Sequence, residues 1–322
     1  MPNWRPTSPA AVARRRAAML ERVRGYFAAR DVLAVDTPAL SAWTCTDPHI
    51  ESIAAQRIEA STDYLQTSPE SAMKCLLAAG YPDIYSISRV FRAGEQGPRH
   101  LPEFTLLEWY RLGFDLAEMV ADTTALIAHC LMQPELEQQV EILNYADIFQ
   151  RLLGVNVFTA GIDELAAAAD ADRSLRTALG NDRDAWLDLL LATRIANAFA
   201  PTRLTVLRHY PRSQAALARP CPVDARVADR FEVFRGTLEL ANGYVELADA
   251  TEQRARFAAD NERRQLAGSR PVQGDPLLLA ALDSGLPACA GVAVGFERLQ
   301  MIYEQVDDIA KVVTFAARNA DA

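Results

Sequence analysis

Apolar positions recur at helical spacing from the start of the chain. Val12, Met19, Leu20, Val23, Tyr26 and Phe27 make a broad stripe, and Arg14, Arg15, Arg16, Glu21, Arg22 and Arg24 occupy much of the rest. This predicts a helix from Pro9, capped by Ser8, with a solvated basic face. Val32-Leu33-Ala34-Val35 follows as a short strand that stops at Asp36-Thr37-Pro38, because proline disfavours helical geometry in the residue before it. After Tyr64-Leu65-Gln66-Thr67, Ser68 is placed to cap a second helix from Pro69, with Met73, Leu76 and Leu77 as its apolar stripe.

Ile84 to Arg89 and Thr105 to Tyr110 have strand character on either side of a polar loop from Arg92 to Pro102. Alternation in the second strand puts Leu106, Glu108 and Tyr110 on one face and Thr105, Leu107 and Trp109 on the other. A carboxylate and a phenol therefore share a face. Asp115 to Met132 predicts a helix stopped near Pro134, and residues 135–200 carry alanine-rich helical patterns that predict peripheral packing. Strands return at Leu204 to Arg208, Phe231 to Phe234 and Thr237 to Ala241, with Arg235-Gly236 as the turn between the last two. Asp249 to Ala267 predicts a polar helix, and Gly291 to Tyr303 a glycine-bearing strand running into a helix.

With 322 residues, half of them hydrophobic, the chain can bury a full core. The polar clusters near its two ends complement one another, which favours a single domain over residues 1–322 with a peripheral helical region around 135–200. A net charge of −9 disfavours a surface whose main task is to grip a nucleic-acid backbone, and suits a basic protein surface as partner. Cys45, Cys75, Cys130, Cys221 and Cys289 show no paired metal-ligand spacing and are expected to be reduced, buried thiols. The N-terminal residues lack a signal peptide's apolar run, and no segment is long and apolar enough to cross a bilayer, so a cytoplasmic protein without a membrane partner is expected.

Candidate chemistry concentrates in three places. In the first, Arg92 offers a fixed guanidinium for an α-phosphate, Arg99 and His100 can hold outer phosphates, Phe104 can cover a purine, and Glu95 can position nucleotide or amine. Taken singly, each also fits a surface ion pair, a solvated side chain or a core aromatic. Together they suit a triphosphate beside a cationic substrate. The second place is Glu232-Val233-Phe234 and Glu239-Leu240-Ala241-Asn242-Gly243-Tyr244-Val245-Glu246, whose carboxylates can recruit a divalent metal with Asn242 adding an amide. Two strands facing water would present the same groups. In the third, Gly291, Gly295 and Arg298 combine small residues with a second phosphate-binding guanidinium, without a Walker or dinucleotide fingerprint.

The three clusters, in this order, resemble the class II aminoacyl-tRNA synthetases, most closely the lysyl-tRNA synthetase catalytic domain. Phe27 with Val35-Asp36-Thr37-Pro38 matches the first signature, Phe91-Arg92 through Arg99-His100 and Phe104 the second, and Gly295-Phe296-Glu297-Arg298 the third. The resemblance implies an α+β fold, an antiparallel sheet flanked by helices, and a homodimer with first-signature contacts. It further implies ATP as co-substrate, with Arg92 and Arg298 as the catalytic phosphate contacts, Arg99 and His100 on the triphosphate, Phe104 on adenine and Glu95 nearby. Glu232 and Glu239 would hold Mg2+. Ser68, Glu70, Glu108, Tyr110, Asn242, Tyr244, Glu246 and Ala293 would form the amino-acid pocket.

The first-signature helix starts almost at Met1, so no anticodon-binding domain is expected before it. Thr67-Ser68-Pro69-Glu70, Leu107-Glu108-Trp109-Tyr110 and Glu239-Leu240-Ala241-Asn242-Gly243 resemble the truncated paralogues that attach (R)-β-lysine to a lysine ε-amine of elongation factor P. In this family's pattern no stable tRNA partner is expected. Ala293 replaces a glycine usual in full lysyl-tRNA synthetases, and Pro98 and Leu101 depart from the polar residues common in the second-signature loop. The alternatives are a stand-alone lysine-adenylating enzyme or unusual tRNA ligase, and a non-catalytic nucleotide-binding dimer.

Overall fold

The computed structural model describes residues 4–56 and 62–316. The chain forms two compact units, one from residues 1–113, 129–132 and 247–322 and the other from 114–128 and 133–246.

In the first unit the strands run in the order Leu33–Ala34, Ile84–Phe91, Glu103–Leu112 and Cys289–Gly295. The first pair is parallel and the others antiparallel. The amphipathic helix Ala10–Ala28 buries Val12, Met19, Val23, Tyr26 and Phe27, as its stripe predicts. Phe27 stacks on Tyr85 at 4.3 Å between ring centroids and meets Trp109 edge-on at 5.4 Å. Truncating such a buried aromatic costs about 3–5 kcal/mol.

Two expectations about this helix fail. Ser8 does not cap it: Pro9 is the N-cap residue, and the Ser8 hydroxyl is buried with no hydrogen-bond partner among the described residues. Nor is the basic face simply solvated. Arg16 reaches inward to Glu297, 2.8 Å away, and also donates to Thr105 Oγ1 and Gln300 Oε1, while Arg15 pairs with Glu304. Helical periodicity could not show that these arginines have acidic partners almost three hundred residues away.

Helix Glu70–Ala78 starts one residue later than expected, and the Ser68 hydroxyl accepts from the Glu70 N–H at 3.2 Å. Its Met73 and Leu77 pack with Ile84, Tyr110, Leu278 and Leu282. The last two belong to helix Pro276–Gly285, which was not anticipated although it carries a sequence signal. The Asp275 side chain accepts from the Leu277 N–H, with Pro276 in the first turn. The polar helix appears as Ala250–Leu266, capped by Asp249. Leu101 packs with Met301, Ile309 and Val312, which explains an apolar residue in a loop that is otherwise polar.

The second unit orders its strands Leu238–Val245, Arg230–Arg235, Leu204–Arg208 and Val140–Asn144. The first three are antiparallel, turning at Gly236, whose φ of +55° suits a residue without a side chain. Val140–Asn144 corrects the helical expectation for residues 135–200, because these residues pair in parallel with Leu204–Arg208. The rest of that stretch is largely helical and has its own core, with Tyr145 stacked on Phe149 at 4.5 Å among Trp186, Leu187, Leu190 and Ile195. No helix among the described residues is long and apolar enough to cross a membrane.

Candidate active site

Strand Ile84–Phe91 delivers Arg92 to the start of the polar loop, and the Arg92 N–H donates to Pro102 O at 2.9 Å, closing the loop across its base. Gly94 turns the chain at φ +76°. The Arg92 guanidinium lies 5.1 Å from the Phe104 ring centroid and 3.4 Å from a Glu95 carboxylate oxygen. Its Nε is buried and unbonded among the described residues. Three of the expected nucleotide residues are therefore in contact. At the far end of the loop, Arg298 on helix Phe296–Glu304 donates from Nε to Arg99 O at 3.3 Å, and its Nη2 lies 2.7 Å from His100 Nε2. Glu297, one residue earlier, is buried and takes a different task, accepting from Arg16 and from the Thr105 N–H.

Of the expected amino-acid pocket residues of the first unit, Glu108, Tyr110 and Ala293 fall into cross-strand rows, whereas Ser68 and Glu70 lie at the start of helix Glu70–Ala78. Glu108 stands between Ser86 and Ala293, Tyr110 between Ile84 and Gly291, and Leu106 between Ser88 and Gly295. Residues at matching positions share a face, so Glu108 and Tyr110 are flanked on one side by Gly291, Ala293 and Gly295, whose small side chains leave room above that face. Tyr110 donates from its hydroxyl to Glu108 Oε1 at 2.7 Å, and both residues are buried. Ser86 was missed. It sits opposite Glu108 and its hydroxyl is 2.6 Å from that of Ser88. Glu70 holds the ammonium of buried Lys74 at 2.6 Å, a pairing that the i,i+4 spacing could have suggested.

The acidic cluster lies in the second unit. Glu232 pairs in register with Asn242, and a bulge between Val233 and Phe234 leaves Glu239 opposite Phe234. The extra residue restores Glu239 to the face that carries Glu232, although simple alternation from Asn242 would turn it away. Glu232 accepts from Arg230 Nη2 and from Tyr210 OH, each at 2.6 Å. Burial, followed by the negative charge of Glu239, still raises the Glu232 carboxyl to about 7. Burial lowers Arg230, and the negative charges around it, Glu232 first and then Tyr210, Asp188 and Glu239, together more than reverse this. Burial and the same carboxylate push the Tyr210 hydroxyl far up. Asn242 accepts from Arg230 Nε at 3.2 Å, Tyr244 packs against Ala215, Ala218 and Ala228, and Glu246 is buried in a bridge with Ala218. Arg230 was overlooked, although it precedes Glu232 by two residues on the same strand face.

The donor set suits magnesium. Burial, and then the neighbouring Glu239 carboxylate, penalise the ionised form of Glu232, a penalty that a cation would relieve, and oxygen ligands of this kind favour a hard divalent cation.

Fold and geometry converge with similarity. Residues 3–319 match the model for class II tRNA synthetases of the D, K and N group, and the chain belongs to that family. Among its curated relatives are elongation factor P (R)-β-lysine ligases. Those of Pseudoalteromonas translucida and Mannheimia succiniciproducens are each 40% identical over 98% of both chains, and that of Haemophilus influenzae is 39% identical over 99% of this chain and 98% of its own.

Proposed function

We propose that this chain activates (R)-β-lysine with ATP and transfers it to a lysine ε-amine of elongation factor P. The carrying observation is the buried Glu108–Tyr110 pair beside a strand of small residues, in a chain that matches these ligases over nearly its full length. A buried carboxylate is a strong receptor for a substrate ammonium, because the charge-assisted hydrogen bond replaces lost solvation. Ala293, in the Glu108 row, sets the space beside that receptor.

In the first step the substrate carboxylate attacks the α-phosphorus of ATP, and the bond to pyrophosphate breaks. Arg92 and Arg298 stabilise the developing phosphate charge, with Arg99 and His100 on the outer phosphates and Phe104 against adenine. In the second step the target lysine's neutral amine attacks the adenylate carbonyl, loses a proton and expels AMP. No protein nucleophile is needed.

Glu232 and Glu239 are assigned as magnesium ligands, and Asn242, Tyr244 and Glu246 as further contacts expected from the family pattern. Magnesium, when bound, supplies charge neutralisation for the phosphates. A single catalytic domain, a homodimer using the exposed Leu33 edge and a cytoplasmic location belong to the same proposal.

Intact-protein mass spectrometry tests it. Purified enzyme, ATP, magnesium, (R)-β-lysine and elongation factor P should give one added lysyl group at one lysine. Product on tRNA alone would overturn the proposed acceptor. Failure to form an adenylate with any lysine isomer, in folded protein that binds ATP, would overturn the ligase reading.

A further inference from the structure

A different group of side chains in the second unit has no task in the ligase chemistry. The potential ligand atoms of His209, Cys221 and Asp229 all lie within 4.8 Å of one another. His209 follows strand Leu204–Arg208, Cys221 ends strand Pro220–Cys221, and Asp229 sits between strands Asp224–Ala228 and Arg230–Arg235. We propose that these three residues bind a zinc-class divalent cation that fastens the Pro220–Ala228 ribbon to its neighbouring strands.

The donor chemistry selects the ion. An imidazole nitrogen, a sulfur and a carboxylate oxygen make a mixed N/S/O set, which suits zinc or cobalt and not magnesium or calcium. With a water as fourth ligand, this would complete tetrahedral coordination, and half-buried His209 leaves that side accessible. The ligand positions are already held by the backbone. His209 N–H donates to Arg230 O at 2.9 Å, and Asp229 N–H donates to Arg219 O at 3.0 Å. Arg219 N–H and Asp229 O in turn bond Val245, which ends strand Leu238–Val245.

The side chains are oriented as well. Arg219 Nε binds Asp229 Oδ2 at 2.9 Å, leaving Oδ1 towards His209 Nε2, 3.9 Å away. Outer hydrogen bonds of this kind fix the direction of metal-binding carboxylates. His209 has φ +60°, a left-handed geometry that non-glycine residues adopt seldom. This conformation presents an imidazole to a buried thiol and a carboxylate. The sequence spacings conceal the set, since the ligands are twelve and eight residues apart and belong to no paired motif.

The test uses the full-length, reduced and metal-stripped protein titrated with Co2+, followed by Zn2+ competition. One equivalent of Co2+ should produce tetrahedral d–d bands and a thiolate-to-cobalt charge-transfer band, both removed by Zn2+. Cys221→Ser should abolish the charge-transfer band, and His209→Asn, which tolerates the same backbone, should weaken binding at least about tenfold. Circular dichroism establishes that each variant is folded. Absence of saturable Co2+ binding, or a charge-transfer band that persists in folded Cys221→Ser, would overturn the proposal. Neither readout requires ligase activity.

Discussion

The Arg298 guanidinium lies 2.7 Å from the His100 imidazole, joining the third-signature helix to the far end of the second-signature loop. Two residues separated by 198 positions are thereby brought into one cluster, the guanidinium donating to the imidazole nitrogen. In the proposed phosphate-binding role, the fork of the Arg298 guanidinium would matter as well as its charge. Arg298→Lys should therefore reduce lysine-dependent ATP–pyrophosphate exchange by about 10²–10³-fold while leaving the fold intact. Exchange within threefold of the parent enzyme would remove Arg298 from the phosphate-binding role.

The Tyr110–Glu108 bond aims a buried carboxylate. In Tyr110→Phe the ring remains, but Glu108 loses a hydrogen bond to a charged group, worth about 1.5–3 kcal/mol. Initial-rate kinetics should show KM for (R)-β-lysine rising by roughly 10–100-fold with little change in KM for ATP. Equal losses for both substrates would point to general disruption.

Ala293 stands opposite Glu108 on the neighbouring strand. Removing its methyl enlarges the space next to the proposed ammonium receptor. Ala293→Gly should raise the efficiency of α-lysine activation relative to (R)-β-lysine by about 10-fold, within the range that one methylene-sized contact can discriminate. An unchanged ratio in competing-substrate assays would place isomer selection elsewhere.

Glu232 carries a pH dependence of definite sign. Its carboxyl is raised from 4.5 to about 7 in the folded protein, first by burial and then by Glu239. The folded state therefore binds the proton more tightly than the unfolded state. This contribution to stability is present below the unfolded value of 4.5 and is lost as pH rises through about 7. If Glu232 holds magnesium as proposed, binding of the ion should show the opposite trend, strengthening as the carboxyl ionises. Glu232→Gln should flatten the pH dependence of urea unfolding and abolish the rise in magnesium affinity through neutrality. A variant retaining both trends would show that another group titrates.

Arg16 and Glu297 form an ion pair with side-chain exposures of 16% and 2%, so solvent screens it weakly. Glu297 also accepts from the Thr105 N–H at 2.8 Å. Glu297→Ala leaves the Arg16 guanidinium without its charged partner, though still bonded to Thr105 and Gln300, and the Thr105 amide without its acceptor, and urea denaturation should show a loss of about 3–5 kcal/mol. A loss below about 1 kcal/mol would mean that water replaces the carboxylate.

Local signals made much of the chain legible. The apolar stripe of Ala10–Ala28, the strands around Arg92 and the shared face of Glu108 and Tyr110 all follow from periods set by backbone geometry. The Asp275-Pro276 helix start was equally readable but was missed. Val140–Asn144 was not, because a five-residue segment mixing Val, Ile and Leu with Glu and Asn lacks a decisive period and its strand geometry depends on pairing with Leu204–Arg208.

The sequence by itself determined the order of the three signatures, the family they resemble and the residue types available for phosphate and ammonium recognition. Only the tertiary structure decided that Arg298 meets His100, that Arg16 serves Glu297, and that a bulge turns Glu239 towards Glu232. The physical reason is that side-chain periodicity acts within an element, whereas ion pairing, burial and cross-strand register depend on residues brought together by folding. The His209–Cys221–Asp229 cluster belongs to the second kind, because its donors come from separate segments that converge through tertiary hydrogen bonds.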